Sequence, residues 1–198
     1  MDTHDTHDTL DALLVRVRAC TRCTAHLPLG PRPVLQAHAG ARIVIAGQAP
    51  GRKVHASGIP FDDASGERLR AWMGVTRSTF YDPGQIAILP MGFCYPGTGR
   101  SGDLPPRPEC APAWRQLVLD RLPAVQLTLV LGQHALAWHL PNQRESLTQV
   151  VGNWRNHDPA VLALPHPSPR NNGWLRHNPW FEAELLPELR ERIARALA

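Results

Sequence analysis

Ile43-Val44-Ile45-Ala46-Gly47-Gln48-Ala49-Pro50-Gly51 is the stretch on which the fold turns. Its first four residues are apolar without alternation. A strand that is apolar at every position is buried on both faces, which is typical of a parallel sheet covered by helices. Gly47 ends the run, and a long polar loop follows as far as Phe61. Three more short apolar runs share this character: Ile86-Ala87-Ile88-Leu89, Leu127 to Leu131, and Val161 to Leu164. They stop at Pro90, Gly132 and Pro165-His166.

Helical spacing fills the intervals. Leu10, Leu13, Leu14 and Val17 follow Asp8 and Thr9, which can cap, and the helix should end near Cys20. Ser65 can cap a helix running through Met73, with Leu69 and Trp72 on one face. Trp114, Leu117, Val118 and Arg121 suit another, and His134 to Leu140 a short one. Phe181, Leu185, Leu189, Ile193 and Leu197 recur every four residues behind Asn178-Pro179, and Pro187 predicts a kink or break in that last helix. Strands alternating with helices predict an α/β protein, a three-layer α/β/α sandwich around a central, mainly parallel sheet. Residues 10–198 read as one domain behind a disordered tail over 1–9, where Asp-Thr-His repeats. Ligand sites in such folds lie at the carboxyl ends of the strands, so the loops beginning at Gly47, Pro90 and Pro165 are the candidates.

The chain has 198 residues and a net charge of +4. Lys53 is its only lysine; every other basic residue is arginine. Arginine forks match phosphate, so a polyanionic partner fits, although codon bias could produce the same composition. An apolar content of 43% argues against disorder. No apolar run approaches the ~20 residues of a membrane span. The first residues lack the apolar core of a signal peptide, so a cytoplasmic location is expected, with no membrane partner. No heptads are present, and a monomer is expected.

Four constellations can carry chemistry. Gly47-Gln48-Ala49-Pro50-Gly51 follows a strand and can offer backbone N–H groups to a ligand. It is neither a Walker loop nor a dinucleotide fingerprint. In Gly58-Ile59-Pro60-Phe61 the aromatic is either core or a stacking platform. His166-Pro167-Ser168-Pro169-Arg170-Asn171 holds a histidine between stiff prolines, either as structure or as a functional group. Cys20-x-x-Cys23, Cys94 and Cys110 can form two disulfides in a secreted chain, or bind zinc or a [4Fe–4S] cluster in a cytosolic one. Spacing alone does not choose between the metal centres.

Taken together, these residues resemble the uracil-DNA glycosylase superfamily, most of all its iron–sulfur branch, family 4. That branch carries Gly-Glu-Ala-Pro-Gly and then Gly-x-Pro-Phe, as Gly47 to Gly51 and Gly58 to Phe61 do here with the same spacing. Its cluster cysteines match Cys20, Cys23, Cys94 and Cys110 in order. Cys94 to Arg100 echoes a further motif, and the last motif begins His-Pro, as at His166. The longer string His166 to Asn171, with Gly173-Trp174 after it, is more similar to the single-strand-selective branch.

The resemblance implies a DNA-repair glycosylase that flips a deaminated base and hydrolyses its N-glycosidic bond. Uracil is the first candidate, with hypoxanthine or xanthine next. By the same resemblance Phe61 stacks on the base, and Gly47, Ala49 and Gly51 lend amides. His166 faces the base oxygen that gains charge. Pro167, Ser168, Pro169, Arg170 and Asn171 press on the DNA, and Arg100 and Arg170 hold phosphates. A structural [4Fe–4S] cluster on the four cysteines is implied, with zinc as the alternative. DNA is the implied partner and the nucleoid the implied place of action. Two departures weigh against full activity. Gln48 replaces a glutamate, and an amide orients water but cannot be a base. Pro90 replaces an asparagine that reads the uracil edge. Asp62, Asp63 and His55 can activate water instead, or simply form a solvated face. The alternative reading is a weak or inactive DNA-binding member of the superfamily.

Overall fold

The computed structural model describes residues 9–100 and 102–198. The tail expected over 1–9 falls outside these residues apart from Thr9. Thr9 caps the first helix, its hydroxyl accepting from Ala12 N–H at 3.3 Å.

The elements in chain order are α1 (Leu10–Arg18), β1 (Ile43–Ala46), α2 (Arg52–Ser57), α3 (Ala64–Met73), α4 (Arg77–Phe80) and β2 (Ile86–Ile88). Then come β3 (Thr98–Gly99), β4 (Gly102–Asp103), α5 (Gln116–Leu119), β5 (Leu127–Leu131) and α6 (Gly132–His139). The chain finishes with α7 (Leu147–Gly152), β6 (Val161–Leu164), α8 (Asn172–His177) and α9 (Leu186–Leu197). The four apolar runs form one parallel sheet in the order β2-β1-β5-β6. Ile43 lies between Ile86 and Leu127, and Leu129 pairs with Leu162.

Both faces of this sheet are covered, which explains the unbroken apolar strands. Ile43, Ile45, Ile86, Ile88 and Leu129 pack on one side with Leu69 and Trp72 of α3, Val150 of α7, and Leu189 and Ile193 of α9. Val44, Ala87 and Leu89 pack on the other with Leu13, Leu14 and Val17 of α1 and Val118 of α5. The result is the three-layer α/β/α sandwich that the strand pattern predicts. Among the described residues no helix is long and apolar enough to cross a membrane.

Four local expectations need correction. The cap of α3 is Asp63, not Ser65: Asp63 is extended, and its Oδ1 accepts from Gly66 N–H at 2.9 Å. The stretch between Gly47 and Phe61 is not all loop, because α2 sits within it and closes at Gly58 in a left-handed conformation. The Pro90 to Pro112 stretch holds the β3–β4 hairpin. Pro187 does not break the last helix: a π-helical turn over Phe181–Leu185 runs directly into α9 with right-handed helical backbone throughout, so the irregularity ahead of the proline is a widened turn.

Candidate active site

The three loops at the carboxyl ends of β1, β2 and β6 meet around one cavity of about 460 Å³. Gly47, Gln48, Ala49 and Gly51 line it from the first loop, and Pro90 and Asp103 from the second. His166, Ser168, Pro169, Arg170 and Asn171 line it from the third, and Phe61 lies among them. The sheet's hydrogen bonding runs on past the strand ends. Met91 N–H donates to Gly47 O and Gly92 N–H to Gln48 O, each at 2.9 Å. The first two loops are thereby zipped together before either reaches the cavity. Two of the expected residues stand apart from the lining: Pro167 is buried in packing, and Arg100 is exposed on the hairpin.

Phe61 is the one described non-glycine residue with positive φ, at 56°. Such a conformation costs roughly 1–3 kcal/mol and survives only where the surroundings enforce it. Two glycines do so. The ring lies so close to Gly47 that a Cβ there would sit 3.2 Å from Phe61 Cζ. A Cβ on Gly66 would overlap the Phe61 carbonyl oxygen. The ring also meets Phe80 edge-on, with centroids 6.2 Å apart at 84°. Phe61 packs on the hydrophobic cluster and also lines the cavity.

His166 is oriented by its own loop. Ser168 N–H donates to His166 Nδ1 at 3.2 Å, and Asn171 Nδ2 donates to the His166 carbonyl at 2.7 Å. An Nδ1 that accepts leaves the proton of the neutral ring on Nε2. Burial pushes the imidazole below its ordinary range, and the charge of Asp63 pulls the other way. The neutral ring is thus an Nε2–H donor with no charge of its own.

Of the three groups considered for activating water, the structure brings only Asp63 to the cavity. Asp62 binds Arg77 at 3.1 Å. His55 is buried in α2, its Nδ1 unpaired among the described residues, and burial pushes its pKa down. Asp63 spends one oxygen on its cap, and its Oδ2 lies 3.9 Å from where a Cβ on Gly51 would be. Asp103 Oδ2 lies 3.3 Å from the same point. Gln48 also lines the cavity, its Nε2 donating to Leu104 O at 3.5 Å.

Sequence reasoning missed Asp103 and Arg68. Asp103 arrives on β4, and two-residue strands carry no periodicity to read. Arg68 clamps the third loop to α3, donating to Ser168 O at 3.0 Å and Asn172 Oδ1 at 2.8 Å. Nothing local in the sequence distinguishes it from other surface arginines.

All four cysteines line a second cavity, together with Val17, Phe93 and Trp114. They are free thiols, so the two-disulfide alternative does not describe them. Trp114 Nε1–H donates to Cys20 Sγ at 3.2 Å, and Phe93 N–H to Cys110 Sγ at 3.3 Å. Such donors favour sulfur carrying negative charge. Burial pushes Cys94 up to about 11 and Cys110 to about 12, so each is a neutral thiol at neutral pH. Among the described residues no three His, Cys, Asp or Glu side chains gather as closely as a single metal ion requires.

Among known proteins, the Uracil DNA glycosylase superfamily matches residues 35–190 of this chain. The Type-4 uracil-DNA glycosylase of Thermotoga maritima is 28% identical over 161 residues, covering 77% of this chain and 78% of that relative.

Proposed function

This chain belongs to the uracil-DNA glycosylase superfamily, and on that premise we propose that it removes a deaminated base from DNA, uracil first and hypoxanthine or xanthine next. As a DNA N-glycosylase it must take the base out of the stack, and the cavity of about 460 Å³ is the place to receive it. Phe61 stacks on the base, and the amides of Gly47, Ala49 and Gly51 approach its edge. His166 donates its Nε2–H to the base oxygen that gains charge as the C1′–N bond breaks and the electron pair leaves on the base. Asp63 holds the attacking water. The water oxygen bonds to C1′ and its proton passes to the Asp63 carboxylate. Gln48 orients that water without serving as base. Ser168, Pro169, Arg170 and Asn171 form the loop against the DNA with Pro167 buried behind them, and Arg100 and Arg170 bind phosphates. The site of action is chromosomal DNA in the cytoplasm, with the protein working as a monomer.

A [4Fe–4S] cluster on Cys20, Cys23, Cys94 and Cys110 completes the reading, with zinc as the alternative. Its contribution is structural, joining the end of α1 to the loop that carries β3 and β4. A brown protein with broad visible absorbance is expected, whereas zinc would leave it colourless.

The observation that carries the proposal is the convergence of Phe61, Asp63 and His166 on one cavity. The test is base release from oligonucleotides containing uracil, hypoxanthine or xanthine, single- and double-stranded, read by alkali cleavage at the abasic site. His166→Ala and Asp63→Asn run beside the wild type. Asparagine caps a helix as well as aspartate does, so Asp63→Asn keeps the fold and removes the base. A loss of about 10²–10⁴-fold is expected for it. DNA binding without release of any base would favour the inactive reading instead, with Pro90 as the residue behind it.

A further inference from the structure

Lys53 is the chain's only lysine, and it lines the large cavity. Every other basic side chain is arginine. Arginine binds phosphate through a planar fork and serves wherever a fixed cation is needed. A guanidinium cannot give up its proton and form a double bond to carbon, and a primary amine can do both. The one side chain able to do this stands where a deaminated base would leave its sugar.

The local geometry fits that chemistry. Lys53 is exposed in the first turn of α2, and the next residue, Val54, is buried and lines the same cavity. A base that enters the cavity leaves its sugar at the mouth, still joined to the DNA backbone. An exposed amine on the cavity wall is placed for the sugar rather than for the base. Carboxylates flank the start of the same helix. A Cβ on Gly51, the cap of α2, would lie 3.3 Å from Asp103 Oδ2 and 3.9 Å from Asp63 Oδ2.

We propose that Lys53 gives the protein a second activity, cutting the DNA strand at the abasic site that base removal leaves. The proposal rests on the reading of the large cavity as a base pocket. Once the base has gone, C1′ carries a hydroxyl and the sugar ring opens to an aldehyde. The Lys53 amine adds to C1′, a C=N bond forms, and the aldehyde oxygen leaves as water. The imine acidifies the C2′ proton, and the Asp103 carboxylate takes it. The electron pair left on C2′ forms a C2′=C3′ bond, and the 3′ phosphate departs with the pair of the C3′–O bond. Water then hydrolyses the imine, which frees the amine.

The experiment uses a duplex with a preformed abasic site, at neutral pH and without heat or alkali. Wild type is expected to cut the strand. With borohydride present it is expected to become joined covalently to the DNA, at Lys53 by mass spectrometry. Lys53→Arg keeps the cation and is expected to lose both the adduct and the cut. Asp103→Asn is expected to keep the adduct and to slow the cut about 10²–10⁴-fold. No adduct with wild type, or an adduct undiminished in Lys53→Arg and mapping to the amino terminus, overturns the proposal. An unchanged cut in Asp103→Asn overturns the proton step. A uracil duplex run in parallel separates the two readings. Base release without an adduct overturns the strand-cutting activity alone. An adduct at Lys53 on abasic DNA, with no release of any base, overturns the glycosylase reading alone.

Discussion

Ser168 N–H points at Nδ1 of His166 from 3.2 Å, and this bond decides which face of the imidazole can donate into the cavity. Protonating Nδ1 would set N–H against N–H and place a charge in a buried site. Burial already holds this imidazole below its ordinary range. Base release should therefore be flat through neutral pH and fall only below the ordinary histidine pKa of about 6.5. Stability follows the same sign. Between the lowered native pKa and the unfolded one, the unfolded chain binds more protons, so this group's contribution is lost as pH falls through that window. A pH–rate profile and urea midpoints across the acid range test both; a rate that climbs on acidification would contradict the assignment.

Gly66→Ala should damage fold and site together. Its Cβ would overlap the Phe61 carbonyl, and that backbone is already held at positive φ. Overpacking of this kind costs roughly 1–3 kcal/mol. Thermal unfolding should show the loss. Base release should drop by more than the unfolded fraction explains, because the stacking ring moves with its backbone.

Pro90→Asn should sharpen the choice of base. Proline gives the cavity wall no N–H and no side-chain amide, and its carbonyl accepts from the buried Arg115 at 3.3 Å. An amide at this position can pair with one base edge and leave a wrong edge unpaired, a difference of about 1–3 kcal/mol. The ratio of uracil release to that of other bases is predicted to rise tenfold or so. Unchanged ratios would mean that the edge is read elsewhere.

Cys94→Ala should lower soluble yield before it alters chemistry. The four cysteines wall one cavity between α1 and the hairpin loop, so removing one loosens a junction remote from His166. Soluble yield and the specific rate of the surviving protein are the two readings. Full yield with unchanged thermal stability would refute a structural role.

Arg100→Gln and Arg170→Gln should each weaken DNA binding with little regard to sequence. Removing one phosphate-binding charge makes the slope of log affinity against log salt shallower by about one. Fluorescence anisotropy at several salt concentrations measures that slope.

The sheet is legible in the sequence because each strand is a short, almost wholly apolar run, with Thr128 the one polar residue among them, covered on both faces. That continuity also locates the three loops and, through them, most of the cavity. The short helices α2 and α8 are not legible. They are polar, six residues each, and held by tertiary packing rather than by an apolar stripe. Ser65 and Asp63 can both cap, and the structure gives the role to Asp63, whose backbone is extended and whose side chain accepts from Gly66 N–H. Asp63 itself is visible as one of three neighbours. The interaction of Asp62 with Arg77 and the burial of His55 leave it the one of those three at the cavity.

The cysteine cavity also has a history in time. Cys20 and Cys23 precede Cys110 by about 90 residues, and Trp114 must follow before the walls are complete. At a synthesis rate of about 5–20 residues per second, the first two thiols wait roughly 5–18 s on the ribosome before their partners exist. During that interval they are open to oxidants and to any metal within reach. If the four cysteines hold the proposed centre, it fills late, on a chain that has already made β1 and β2, and oxidative stress during translation should harm newly made protein more than the finished molecule.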